Sequence, residues 1–116
     1  MSSANKRKGA QFETDIMKWL RKMGAVAERL TKAGAKDEGD IVTMVAGKTY
    51  IFELKNRQKM DLPSFWSEAK VEAENYAKAR GLEQVPPAFV IVKRRNHRVE
   101  NAWVIQDLEQ WLDERK

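Results

Sequence analysis

The sequence predicts a single α/β domain, a mixed five-stranded sheet flanked by helices in the order α-β-β-β-α-β-β-α. Three observations carry this reading. The length of 116 residues, read as one unit over 1–116, suits a single core. The apolar spacing switches between a helical period of about 3.6 and a strand period of 2. Glycine, proline and capping residues stand where the period switches.

Each element follows in turn. Residues 10–23 put Phe12, Ile16, Trp19, Leu20 and Met23 on one helical stripe, with Lys18, Arg21 and Lys22 opposite and Gly24 as the stop. Residues 1–9 before it read as a basic arm. Val26, Glu28 and Leu30 then alternate with Ala25, Ala27 and Arg29, a first strand, and residues 31–39 form a polar glycine-containing loop. Ile41–Val45 and Thr49–Lys55 flank a turn at Gly47-Lys48, which makes them a β-hairpin. Pro63 opens a second helix with the stripe Phe65, Ala69, Ala73, Tyr76 and Ala77, closed by Gly81. After Pro86-Pro87 come a buried-type strand at Phe89–Val92, a turn at Asn96-His97 and a last strand at Ala102–Ile105. Asp107 and Gln110 have the spacing of a capping box for a short final helix. Trp19, Trp103 and Trp111 are expected in the core, and Trp66 at an exposed helix start, where it could serve dimerisation.

Composition narrows the class of function. Hydrophobic residues make up 42%, enough for a core, and no run approaches the roughly 20 apolar residues that span a bilayer, so no membrane role is expected. The first residues lack an apolar stretch behind their charges, so the expectation is an intracellular protein without a secretory signal. Without cysteine, disulfide frameworks and thiolate zinc sites are excluded. The net charge of +5 is uneven. Residues 1–36 hold nine Lys/Arg against three acids, a net of +6, and the remaining thirteen basic residues face fourteen acids, a net of −1. Such a concentrated excess is the footprint of a polyanion-binding surface.

Four residues sit where ordinary structure would not put charge. Glu53 and Lys55 are two apart in a strand with Tyr50, Ile51, Phe52 and Leu54, so they share one face beside Ile51. Two charges among apolar neighbours are costly unless a metal or partner compensates. Asp40 starts the paired strand, and antiparallel pairing around the turn brings it beside Glu53 and Lys55. Glu13, beside the buried stripe of the first helix, could reach the same place directly or through water. Clustered carboxylates call for a hard divalent cation. Such a cation polarises a phosphoryl oxygen and acidifies an attacking water, which is what phosphodiester hydrolysis needs. Asp40 and Glu53 would hold one or two Mg²⁺ ions with the Leu54 backbone carbonyl, and Lys55 would orient or deprotonate the water or stabilise charge at phosphorus.

Gly39-Asp40, twelve residues, then Glu53-Leu54-Lys55 resembles the core of the PD-(D/E)xK nuclease superfamily. Within it, the run Arg7-Lys8-Gly9-Ala10-Gln11-Phe12-Glu13 and an arginine closing the first strand, Arg29, are most similar to the archaeal-type Holliday-junction resolvases. The resemblance spans roughly residues 6–95 and implies a restriction-endonuclease-like fold. It also implies a Mg²⁺-dependent homodimer (Mn²⁺ substituting) that nicks opposing strands of four-way DNA junctions. Glycine replaces the usual proline before the aspartate. Arg7, Lys8, Arg29, Lys32, Lys36 and Arg57 are the expected phosphate contacts, with Lys93, Arg94 and Arg95 (and Arg98 nearby) as a second cluster for another duplex arm. The rival readings are a superfamily endonuclease acting on flap, single-stranded or duplex DNA, and a non-catalytic basic DNA-binding module. The second leaves unexplained why phosphate-repelling Asp40, Glu53 and Glu13 should converge.

Overall fold

The computed structural model describes residues 3–30 and 39–116, and within them the elements run α1 (Ser3–Lys22), β1 (Val26–Arg29), β2 (Ile41–Val45), β3 (Lys48–Lys55), α2 (Leu62–Arg80), β4 (Ala88–Val92), a 3-10 turn (Val99–Asn101), β5 (Trp103–Ile105) and α3 (Leu108–Asp113). The sheet order is β1-β2-β3-β4-β5. Only β3 and β4 pair in parallel, with α2 as their crossover. The predicted α/β class and element order are therefore the observed ones.

Alternation along the strands divides the core into two layers. Val42, Ile51, Ala88, Val90 and Val92 face α2 through Phe65, Ala69, Ala73 and Tyr76. Ile41, Phe89 and Ile91 face α1 through Phe12, Ile16 and Leu20. The expected stripes of both helices are thus the buried ones, as a sheet with helices on both faces requires, except that Met23 lies past the end of α1 and is 65% exposed.

Local chemistry sets the boundaries. Asp61 accepts a hydrogen bond from the Ser64 backbone N–H, Pro63 lies in the first turn, and Gly81 closes α2 in the left-handed conformation at φ 64°. The β2–β3 hairpin turns one residue earlier than the glycine alone suggests. Ala46 (φ 52°) and Gly47 (φ 79°) form the two-residue loop, Val45 pairs with Lys48, and Lys48 belongs to β3.

Three expectations need correction. The first helix begins at Ser3, so Gly9 and the residues read as a basic arm from Ser3 onward are helical, propagation outweighing the modest cost of one exposed glycine. Trp103 and Trp111 are not core residues. They are 50% and 43% exposed, because β5 is a three-residue edge strand and α3 buries no residue completely. Trp66 is half-buried against the α2 layer with Lys70 over its ring, not an exposed anchor. Trp19, half-buried against the α1 layer, lies as expected. At α3, Asp107 accepts from the Gln110 N–H, but the Gln110 side chain donates to the Ala88 carbonyl instead of closing the box.

Candidate active site

The register of the hairpin builds the site. Ile41 pairs with Phe52, so the next position outward puts Asp40 opposite Glu53. The Asp40 N–H donates to the Phe52 carbonyl at 3.0 Å, and Asp40 Oδ2 accepts from the Leu54 N–H at 2.8 Å. These two bonds fix the aspartate at the mouth of the hairpin. Glu53 and Lys55 share the face of Ile51, as the period of 2 requires, and are each only 6% exposed. Lys55 Nζ stands 3.3 Å from Glu53 and 2.6 Å from Glu68, over the Phe65 ring at 4.9 Å.

This face looks toward α2, which adds two acids that the strand pattern does not reveal. Glu53, Glu68 and Glu72 offer carboxylate oxygens that all lie within 4.8 Å of one another. Glu68 stands among exposed polar residues of its helix, where an acid is unremarkable. Glu72, however, is buried at i+7 from Phe65 and i−4 from Tyr76, inside the apolar stripe. An acid in that stripe is a signal legible in sequence, although the strand motif draws attention elsewhere.

Gly39, which stands where the superfamily commonly has proline, is buried at φ +104°. Proline is locked near −65° and cannot adopt this conformation. A Cβ here would lie 2.7 Å from Ile51 Cγ2 and 3.8 Å from Glu72 Oε2. The glycine thus lets the chain pass tightly beside the acidic cluster before it turns into Asp40.

Glu13 approaches from α1 on the opposite layer. It forms an ion pair with Arg29, which also donates to Thr14 Oγ1 at 2.9 Å. Desolvation and the charge of Asp40 raise the Glu13 carboxyl above its ordinary value, against the opposing pull of Arg29. Glu13 is therefore in electrostatic reach of Asp40, while the closest carboxylate group is Glu53 with the two α2 acids.

Electrostatics explain what the cluster lacks. Burial, then Asp40 and Glu72, push the Glu53 carboxyl up to about 10, so without a cation it keeps its proton at neutral pH. Its contact with Lys55 is then a hydrogen bond to a neutral acid and not a full ion pair. Burial alone would lower the Lys55 ammonium, but the Glu68 hydrogen bond, together with the charge of Glu68 and the charge that Glu53 carries once alkaline pH ionises it, outweighs burial and holds Lys55 above its usual value. Hard oxygen donors forced to share protons are suited to a divalent cation, so the residues present fit a metal of that class.

A family model for archaeal Holliday junction resolvases (Hjc) matches residues 4–85. The chain belongs to the archaeal Holliday junction resolvase family. It is accordingly an endodeoxyribonuclease acting on DNA junctions, and the non-catalytic binding-module reading falls. Among solved structures, Hjc of Archaeoglobus fulgidus, described as a Holliday junction resolvase from an archaeal hyperthermophile, is 22% identical. It matches over 85% of this chain and 88% of its own with a TM-score of 0.53, a likeness of fold. No curated protein matches the sequence.

For the resolvase, the expected DNA contacts among the described residues fall in four places, one of them Arg29 at the end of β1, paired with Glu13. Arg7 and Lys8 are exposed on α1, and Arg57 is exposed just beyond β3. Lys93 follows β4, its N–H donating to the Lys55 carbonyl at 3.0 Å, so the Lys93–Arg95 cluster starts at the same sheet end as the acids. Arg94 lies over the Trp103 ring at 5.2 Å. Lys32 and Lys36 lie outside the described residues. Among the described residues, no helix is long and apolar enough to cross a membrane.

Proposed function

We propose that this resolvase is a Mg²⁺-dependent homodimer, active inside the cell, in which each copy nicks one of two opposing strands of a four-way junction, with Asp40, Glu53, Lys55 and Glu13 as catalytic residues. The observation that carries the site assignment is the convergence of Asp40, Glu53 and Lys55 on one face at the open end of the hairpin. Asp40, Glu53 and the Leu54 carbonyl would hold the cation, with Glu13 contributing directly or through water; Mn²⁺ has the same hard-donor preference and would substitute. When bound, the cation supplies Lewis-acid polarisation of the phosphoryl oxygen and an acidified water.

The chain's own residues do the rest. Asp40, held by the Leu54 N–H, has one carboxylate oxygen fixed and presents the carboxyl group at the mouth of the hairpin. Glu53, a crowded neutral acid, would act as a ligand in its deprotonated form, a cation's charge standing in for the proton's. Lys55 presents an ammonium N–H to the attacking water or to the charge building on phosphorus, inside a pocket dry enough to strengthen that contact. Arg7, Lys8, Arg29, Lys32, Lys36, Arg57, Lys93, Arg94 and Arg95 supply sequence-independent phosphate contacts that orient the arms.

The homodimer reading is supported by stoichiometry, since one domain with one site faces a symmetric junction with two scissile phosphates. Leu108, Trp111 and Leu112, at i, i+3 and i+4 on α3, leave an exposed apolar stripe, and β5 beside it adds an exposed Trp103 or Val104 on each of its faces, surface that suits a second copy. Sedimentation equilibrium tests this, and a monomer at micromolar concentration would sink it.

The catalytic reading is tested with labelled junction, flap, duplex and single-stranded DNA, in Mg²⁺ and in chelator. Asp40→Asn or Glu53→Gln is expected to lower junction cleavage by at least about 100-fold while binding stays equal or tightens, since the first removes a charge that repels phosphate and the second puts a neutral amide where a neutral acid stands. Undiminished nicking by either variant refutes it, and equal affinity for duplex and junction removes the junction preference.

A further inference from the structure

We infer that Glu68 is a positioning residue for Lys55, fixing where its ammonium points; this rests on the reading of Lys55 as catalytic. Lys55 is only 6% exposed, and its Nζ lies over the Phe65 ring at 4.9 Å. An ammonium has three N–H groups. Glu68 takes one at 2.6 Å and Glu53 stands at 3.3 Å, so at most one remains for a phosphoryl oxygen or an attacking water. Of the two acceptors, Glu53 is committed to the cation in the proposed reaction. Glu68 is the nearer and the one outside the strand motif, so it holds the ammonium while Glu53 ligates.

The helix fixes this partner firmly. Asp61 caps α2 and sets its rotation, and Phe65 and Glu68 lie three apart on one face. The ring and the carboxylate both meet the lysine head group, the ring at 4.9 Å and the carboxylate at 2.6 Å. With half of its side chain in solvent, Glu68 can be exchanged without opening a cavity. Glu68 also lies within the carboxylate group close enough for a cation, so the competing role is that of a direct ligand. The two roles differ in a measurable way: a ligand sets the cation concentration needed, whereas a positioning residue sets the rate at saturation.

The experiment compares the intact protein with Glu68→Gln, Glu68→Asp and Lys55→Ala. Single-turnover cleavage of a four-way junction is followed across a Mg²⁺ titration. In cation-free protein, the lysine ammonium ¹H–¹⁵N resonances are recorded, Lys55 being assigned by its loss in Lys55→Ala. Glu68→Gln is expected to lower the saturated rate roughly 10- to 100-fold, the usual effect of removing an orienting partner, with junction affinity and the Mg²⁺ midpoint unchanged. The Lys55 resonance, visible only while the ammonium is held, disappears, and Glu68→Asp recovers part of both signals. Cleavage by Glu68→Gln within about twofold of the unsubstituted protein, or a retained Lys55 resonance, overturns the inference. A Mg²⁺ midpoint raised in proportion to the lost rate makes Glu68 a ligand and also overturns it. Cleavage by Lys55→Ala at the full rate removes the catalytic reading of Lys55 and the inference with it, whereas an inactive Lys55→Ala beside an active Glu68→Gln removes only the inference.

Discussion

The mouth of the β2–β3 hairpin and the β5–α3 side of the sheet break the usual rule of burial in opposite directions. At the hairpin, Glu53, Lys55 and Glu72 are buried charges or potential charges. On the β5–α3 side, Trp103, Val104, Leu108, Trp111 and Leu112 are exposed apolar residues. The first arrangement stores free energy, because acids crowded in a dry place must keep protons they would release in water. The second stores less, since these side chains keep between 43% and 79% of their surface in water and gain only part of the stabilisation that full burial gives. Stability thus comes mainly from the two layers around α1 and α2, while the hairpin mouth spends some of it and the C-terminal side adds a smaller share.

The largest expected effect breaks that comparison at the hairpin. Glu53→Gln, expected to remove cleavage under the proposed reading, should raise the Tm of the cation-free protein by several degrees at neutral pH, because an amide of the same shape has no proton to compete for. Thermal melts in chelator check this, and a lower Tm would mean that Glu53 is well compensated and the site not strained. Next in size is Gly39→Ala. With φ at +104° and the new Cβ 2.7 Å from Ile51 Cγ2, it should cost on the order of 2 kcal/mol or more, read by denaturant unfolding.

The pH dependence follows from the raised groups. Glu53 holds its proton more tightly when folded, with a carboxyl at about 10 against 4.5 unfolded. Its contribution is full below about pH 4.5 and is lost as pH rises toward 10. Glu13 and Lys55, also raised, act in the same direction, Lys55 only at high pH. The cation-free protein should therefore lose Tm steadily from mildly acidic to alkaline pH. A divalent cation, which replaces the Glu53 proton, should restore more at pH 9 than at pH 6. A pH-independent Mg²⁺ effect on Tm would place the ion away from Glu53.

What could be read from sequence follows the same divide. Glu53 and Lys55 were legible because a strand's period of 2 assigns them one face, and Asp40 because antiparallel pairing brings the start of β2 beside the end of β3, although the turn lies one residue earlier than expected and makes Glu53 its direct partner. Both inferences use distances of a few residues along one motif. Glu68 and Glu72 come from a helix that crosses the sheet between β3 and β4, and no local period shows which turn of α2 will pass over Lys55. The conformation of Gly39 was illegible for a related reason, since its positive φ is set by how closely Ile51 and Glu72 approach. On the other side, the tryptophans of β5 and α3 misled because aromatic residues are usually buried. Nothing in the local pattern shows that β5 is a short edge strand with a neighbour on one side only.

The smallest expected effect tests that side. Leu108 opens α3 at 79% exposure, directly after the Asp107 cap, and it packs in neither core layer. Leu108→Lys should therefore change the unfolding free energy of the isolated chain by no more than about 0.5 kcal/mol, measured at a concentration low enough to exclude association. If the second copy of the resolvase sits against β5 and α3, the same substitution must weaken self-association, because a buried lysine without a partner carries a desolvation cost that the leucine does not. A stable fold with lost self-association would show that the apolar side serves assembly. A destabilised monomer would show that this side contributes to the core after all, and that the contrast with the hairpin is one of degree.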